Sequence, residues 1–283
     1  MAKAETKAVA VPPKAGMPAV PSFMKGTTAN TGNMDSTDLI LPRLKLLQKI
    51  SPEIEEFKGV AVDGQFWHTV AEESLVGPLR AVPIFVRKSV ILWAPRGDDR
   101  RILARSNDCV RWDQGGNETF EVKPKNAPKI TYQTLGSVAE SGLLEFGSSV
   151  PGDPNSAPAA SLTYNWLWYL LDYQDLSPVV VINTRSSVRQ SKALWGKIDL
   201  RKDTAPMFGM VFDLDIKMDG TADEPFYNYS YRANGYVEDE ETFLRLKAMN
   251  EQFGATSWRA ADEEDDAAEN TGTTSSGPGD KTG

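Results

Sequence analysis

One segment of the chain alternates between apolar and charged residues, and this pattern restricts the fold more than any other feature. Between 208 and 218 every second residue is apolar, and Asp213, Asp215 and Lys217 lie between them. Successive side chains of a strand point to opposite faces, so this period predicts an antiparallel strand with one wet face. Turn-forming residues at 219–225 predict that 226–237 returns as its hairpin partner.

Short β-type runs separated by Gly, Pro and Asn dominate the residues before this hairpin. These runs are 80–93, 101–105, 119–123, 129–133, 161–171 and 178–182. Two segments, 187–198 and 239–253, have apolar residues at helical spacing and are predicted to be amphipathic helices. The sequence therefore predicts an α+β fold, mainly antiparallel β, with two flanking helices.

Both ends of the chain have the composition of disordered segments. Residues 1–36 are rich in Ala, Pro, Thr and Gly, and residues 259–283 are acidic and then small and polar. Neither end can bury enough apolar surface to offset its ordering entropy. One domain is therefore predicted at 37–258. The acidic cluster of the tail consists of Asp262, Glu263, Glu264, Asp265 and Asp266.

Charge is distributed unevenly along the chain, whose formal net charge is −8. Residues 80–111 hold eight basic and three acidic residues, and 185–202 hold six basic residues and one acidic residue. An acidic tail imitates nucleic acid towards a basic groove or recruits a basic partner, and a solubility tail is the alternative. The two positive segments predict a polyanionic partner more directly than the overall charge does.

Several classes of protein are excluded or disfavoured by what the sequence lacks. Cys109 is the only cysteine and His68 the only histidine, so an internal disulfide and a Cys/His zinc site are excluded. No apolar run is long enough to span a membrane, no secretory signal precedes the domain, and no phosphate-binding glycine motif occurs. We therefore expect a protein of the cytoplasm of the cell that makes it, without a cofactor and without enzymatic activity.

Carboxylates leave one catalytic alternative open, a Mg²⁺-dependent nuclease. Asp213 and Asp215 project from the same strand face, and Glu121 and Lys123 lie downstream of Asp113 at a nuclease-like spacing. The competing interpretation is that an alternating strand must place polar residues outward.

Aromatic and basic residues interleave in the way that single-stranded nucleic acid requires, because bases stack on rings while cations contact phosphates. Phe85, Arg87 and Trp93 share one face of the strand 84–93, Lys88 lies on the other, and four of the six cations of the second positive segment join the predicted set. For each aromatic stripe, a place in the core is the alternative. The predicted nucleic-acid-binding residues are Phe85, Arg87, Lys88, Trp93, Arg185, Arg189, Lys192, Lys197, Tyr229 and Tyr231. Of these, Arg87, Lys88, Trp93, Arg185, Arg189 and Lys192 are expected to line one groove, and Tyr229 and Tyr231 are candidates for stacking on bases.

Two strings in the chain resemble a group of bacteriophage proteins found among replication genes and often taken to be single-stranded DNA-binding. The first runs from Leu41 to Gln48 and continues with Ser51-Pro52-Glu53; the second pairs 178–182 with 186–192. The resemblance covers residues 38 to 253 and carries over no established DNA-contacting residue. One departure is that the tail ends Asp280-Lys281-Thr282-Gly283, without the terminal aromatic residue common in such tails.

The resemblance implies an elaborated OB-like barrel that binds single-stranded DNA in phage replication or recombination. Replication or recombination proteins are then the expected partners of the tail. The resemblance leaves open whether the protein is an oligomer. The alternative is a non-enzymatic virion or host-interaction protein.

Overall fold

The computed structural model describes residues 40–95, 102–113, 117–123, 128–220, 225–255 and 259–260. The chain divides into two units, Met1–Asp35 and Ser36–Gly283, and all described residues belong to the second. The arm at 1–36 and the acidic residues Asp262, Glu263, Glu264, Asp265 and Asp266 lie outside the described residues. The predictions made for them stay predictions.

The described residues form thirteen strands and four α-helices. The strands are β1 (Ile40–Leu41), β2 (Leu44–Leu46), β3 (Phe66–His68), β4 (Glu73–Leu75), β5 (Leu79–Trp93), β6 (Ile102–Ser106), β7 (Thr119–Val122), β8 (Ile130–Gln133), β9 (Ala160–Leu170), β10 (Val179–Thr184), β11 (Met210–Gly220), β12 (Pro225–Tyr236) and β13 (Arg259–Ala260). The helices are α1 (Pro52–Glu56), α2 (Val138–Ser141), α3 (Val188–Asp199) and α4 (Glu240–Ala255). The predicted α+β class with mainly antiparallel strands is confirmed.

A central antiparallel sheet has the strand order β10-β9-β5-β11-β12, and β6 pairs with the far end of β5. The predicted hairpin is formed by β11 and β12, with Leu214 opposite Tyr231. Pro83 lies inside β5 and cannot donate a ladder hydrogen bond. The pairing with β9 accommodates it by an irregularity between Pro83 and Phe85. β1 and β13 form a short parallel pair, in which Ile40 is the register partner of Arg259 and Leu41 that of Ala260.

The two long helices pack on opposite faces of this sheet. Leu194 of α3 belongs to the same core cluster as Trp166, whereas Leu246 of α4 packs with Leu167. Trp166 and Leu167 are consecutive in β9 and therefore point to opposite faces. Among the described residues, no helix combines the length and apolar content needed to cross a membrane.

Residues 42–48 fill the gap between the two edges of the sheet. On one side, the N–H of Val180 in β10 donates to the carbonyl of Pro42 at 2.8 Å. On the other, the Gln48 side chain pairs with the backbone of Tyr227 in β12. In the described part of the chain the sheet is thus curled but not a closed barrel, and the predicted OB-like barrel is not confirmed.

Candidate nucleic-acid interface

The predicted row of aromatic and basic residues on β5 lies on the α4 face of the sheet. Arg87 is the register partner of Asn165, and Lys88 is the partner of Tyr164. Tyr164 packs against the core cluster beneath α3, so Lys88 points to the α3 face. Phe85 packs against the core cluster of Leu246 on α4, and Trp93 donates to Ser161, which has the same parity in β9 as Asn165. Phe85, Arg87 and Trp93 therefore share one face of the sheet.

Trp93 and Arg185 meet at one end of this row. The Arg185 guanidinium carbon lies 4.6 Å from the centroid of the Trp93 ring, within the range of a cation–π contact. The indole nitrogen of Trp93 donates to the Ser161 hydroxyl at 2.8 Å, which fixes the orientation of the ring. We call these two residues the Trp93–Arg185 pair.

Arg185 has an unusual backbone conformation, with φ of 50°. A non-glycine residue in this region costs on the order of 1–3 kcal/mol and persists only where its surroundings hold it. Here the N–H of Thr184 donates to the Ser187 hydroxyl, which donates to the Thr184 carbonyl, each at 2.8 Å. This turn directs Arg185 away from β10 just before α3 begins.

A second cation–ring contact lies towards the middle of β5. The Arg87 guanidinium carbon is 6.0 Å from the centroid of the Phe85 ring, at the edge of the cation–π range. Beside it, Asn165 is 6% exposed, and its Oδ1 accepts no hydrogen bond among the described residues. An unpaired amide oxygen at this depth is costly, so this position would favour a donor from a bound molecule or water.

The row between these contacts is not an open groove. Ser89 and Ile91 are buried, as is their neighbour Thr163 on β9. Arg87 and Trp93 are half-buried, and Arg185 is exposed. Six residues of a strand span about 20 Å, so two separate cation–ring contacts lie at that spacing with a closed stretch between them.

The cations of α3 do not join this row. Arg189 and Lys192 are exposed on the helix that covers the opposite face from Arg87. Lys197 instead donates its ammonium group to the carbonyl of Tyr231 in β12. The prediction of one groove that joins Arg87 and Trp93 to Lys88, Arg189 and Lys192 is therefore wrong. Helical periodicity gives the exposed side of α3 but not the face of the sheet on which the helix lies.

Tyr229 and Tyr231 are core residues and cannot serve as stacking platforms for bases. They are 7% and 5% exposed, and their rings stack on each other with centroids 6.3 Å apart. The Tyr231 hydroxyl donates to Asn183 Oδ1 at 2.9 Å, and burial raises its pKa well above the ordinary value. The reason is that α3 and the segment 42–48 cover the concave side of the β11–β12 hairpin.

The carboxylates proposed for a nuclease are engaged in other contacts. Asp213 is buried and accepts from Arg232 at 2.9 Å and from Asn234. Glu121 forms an ion pair with Lys129 at 2.5 Å. Across the described ranges, no three His, Cys, Asp or Glu side chains are grouped so that they could hold a metal ion.

A pocket beside Arg185 contains residues that sequence reasoning missed. It has a volume of about 590 Å³, and we call it the Arg185 pocket. Its lining residues are Gln48, Lys49, Ile50, Arg185, Ser186, Met218, Phe226 and Tyr227. They come from three segments that are distant in sequence. The only available signal was that Tyr227 lies on the same face of β12 as Tyr229 and Tyr231, beyond the part of that row that is buried.

Comparison with known proteins identifies a phage family. Residues 13–259 match the family model of the Pam3 phage gp34-like protein. The match covers more than half of the chain, so the chain belongs to this bacteriophage protein family. No curated protein matches the chain, and no solved structure does.

Proposed function

We propose that this phage protein binds single-stranded DNA with little sequence preference and acts in phage DNA replication or recombination. In this proposal it works in the host cytoplasm as a binding protein rather than as an enzyme. The observation that carries the proposal is the Trp93–Arg185 pair, an indole ring held in place beside the guanidinium group of an exposed arginine. Bases stack on aromatic rings and on guanidinium planes, and the cation attracts phosphates.

The surroundings of the pair support contact with an unpaired strand more than with a duplex. Tyr227 and Phe226 lie in the Arg185 pocket, so several rings are available within one concave surface. The bases of a duplex are stacked on each other, whereas the bases of an unpaired strand are free to stack on aromatic side chains of a protein. Sequence preference is expected to be weak, because every base offers a ring face.

The test is a titration of the full chain with a short oligo-dT at about 50 mM and about 200 mM salt. Arg185→Ala is expected to weaken binding and to reduce the slope of log K against log salt by about 0.7, the contribution of one phosphate contact on a single strand. The matched control is Arg245→Ala. Arg245 also lies over a ring, 5.1 Å from the Tyr169 centroid, but on α4. Equal effects of both substitutions would reject the proposed role of Arg185.

A second candidate function is favoured by exposed apolar side chains on and after α3. Trp195 and Leu200 are both exposed, and Trp195 lines a pocket of about 290 Å³ together with Phe85 and Met207. Exposed apolar surface of this kind is typical of protein–protein contacts. A non-enzymatic virion or host-interaction protein would show no oligo-dT binding in the titration above.

A further inference from the structure

The Arg185 pocket has the size and the lining of a small-molecule site. Its volume of about 590 Å³ lies within the usual range for ligand pockets. Ile50 is 92% exposed and Met218 is 63% exposed, so large apolar side chains face solvent in a concave surface. Such a surface is unfavourable in water unless a ligand covers it.

The charged residues that line the pocket are all positive. Lys49 and Arg185 are its charged lining residues, and no Asp or Glu from the described residues lines it. Lys49 is exposed and forms no ion pair with any described residue. A pocket with an apolar floor and two cations favours a ligand that combines a flat apolar ring with a negative group.

The aromatic side of the pocket is held in place before any ligand binds. The side-chain amide of Gln48 donates to the carbonyl of Tyr227 and accepts from its N–H, each at 2.9 Å. Its ring lies against Gly64, where a Cβ atom would come within 2.7 Å of the ring carbon Cζ. A ring fixed by its own neighbours loses little entropy when a base stacks on it.

We propose that the Arg185 pocket binds one nucleotide unit, with the base beside Tyr227, Phe226 and Met218 and the phosphate between Lys49 and Arg185. This inference rests on the proposed function and makes it more specific. Arg185 belongs both to the pocket and to the Trp93–Arg185 pair. A strand whose base occupies the pocket therefore continues directly onto Trp93.

The test uses dTMP, thymidine and oligo-dT as probes of the full chain. The wild type is expected to bind dTMP measurably and thymidine about tenfold more weakly, because thymidine lacks the phosphate. Met218→Glu places a carboxylate on the pocket wall, and repulsion is expected to weaken dTMP binding by at least about tenfold. Oligo-dT binding should persist at Trp93 with several-fold lower affinity. Val110→Glu is the matched control, since Val110 is 60% exposed outside the pocket.

The outcomes separate the pocket from the function. If oligo-dT binds but dTMP does not, and Met218→Glu leaves oligo-dT affinity unchanged, the inference about the pocket is wrong and the proposed function stands. If dTMP binds and oligo-dT does not, the pocket takes a free nucleotide and the proposed function is wrong. If neither binds, both are wrong.

Discussion

The side chain of Gln48 pairs with both backbone groups of Tyr227, donating from Nε2 to the carbonyl and accepting at Oε1 from the N–H, each at 2.9 Å. A side-chain amide thereby occupies the place that another strand would take at the edge of β12. Two further outward groups of this edge are also satisfied by side chains. The N–H of Tyr229 donates to Asn228 Oδ1, and the carbonyl of Tyr231 accepts from Lys197. These contacts block the edge against pairing with another chain.

The first prediction concerns this edge. Gln48→Met keeps the shape of the side chain but leaves the N–H and carbonyl of Tyr227 without partners. We expect the free energy of unfolding, measured by urea denaturation, to fall by about 1–3 kcal/mol. Gln133→Met, at an exposed position in β8, is the control and should change it by less than about 0.5 kcal/mol. Equal stability of the Gln48 variant and the wild type would show that water replaces the amide without loss.

The second prediction concerns which tryptophan reports DNA binding. Among the described residues, Trp67, Trp112, Trp166 and Trp168 are buried, whereas Trp93 is partly exposed and Trp195 exposed. Quenching of emission by oligo-dT should therefore come mainly from Trp93 and be largely lost in Trp93→Phe. Trp93→Ala should also weaken binding about 5- to 150-fold, the effect of losing one stacked base. Trp195→Phe is the control; loss of quenching there instead would move the site to the pocket that contains Phe85.

Local patterns were sufficient to predict the eight strands from β5 to β12 and the two long helices, because strand parity and helical periodicity depend only on neighbouring residues. The alternation at 208–218 corresponds to Met210–Gly220, and the helix predicted at 187–198 is Val188–Asp199. The same parity placed Phe85, Arg87 and Trp93 on one face. Their contact with DNA stays a prediction.

Long-range packing determined what local patterns could not. Tyr229 is buried because its hydroxyl donates to the carbonyl of Leu44 in β2 and its ring stacks on Phe66 in β3. Both strands are far from Tyr229 in the sequence. Arg189 and Arg87 lie on opposite faces because α3 crosses to the concave side after the turn at Arg185. The Arg185 pocket exists only where residues 48–50 approach β12, a contact that no periodicity encodes.

The third prediction concerns His68, the only histidine of the chain. Its Nδ1 accepts from the N–H of Ala71 at 2.9 Å, so its Nε2 carries the proton and donates to the Leu176 carbonyl at 3.1 Å. Burial is the main cause that lowers the pKa of His68 below its ordinary value of 6.5. The folded protein therefore holds the neutral ring where the unfolded chain is already protonated.

As pH falls below about 6.5, the unfolded state binds a proton that the folded state does not, and stability should decrease by up to about 1.4 kcal/mol per pH unit. Urea denaturation between about pH 7.5 and about pH 5 measures this slope. His68→Asn keeps an acceptor near Ala71 but does not titrate. It should be less stable at neutral pH and nearly flat over the same range. A flat wild-type profile would contradict the assignment of the neutral ring.

The last prediction concerns the acidic tail. Residues 262–283 hold seven acidic residues and one Lys, and their removal should strengthen oligo-dT binding if the tail competes with DNA for the cations around Arg185. We expect a gain of about tenfold at low salt. The gain should shrink as salt rises, because exposed charges are screened beyond about 10 Å at 0.1 M.

Replacing Asp262, Glu263, Glu264, Asp265 and Asp266 by their amides should reproduce most of the gain. Deleting 270–279, which carries no charge, should not. A truncated chain that binds no better than the full one would rule out competition, and recruitment of a basic replication or recombination protein and a solubility tail would then be the remaining roles.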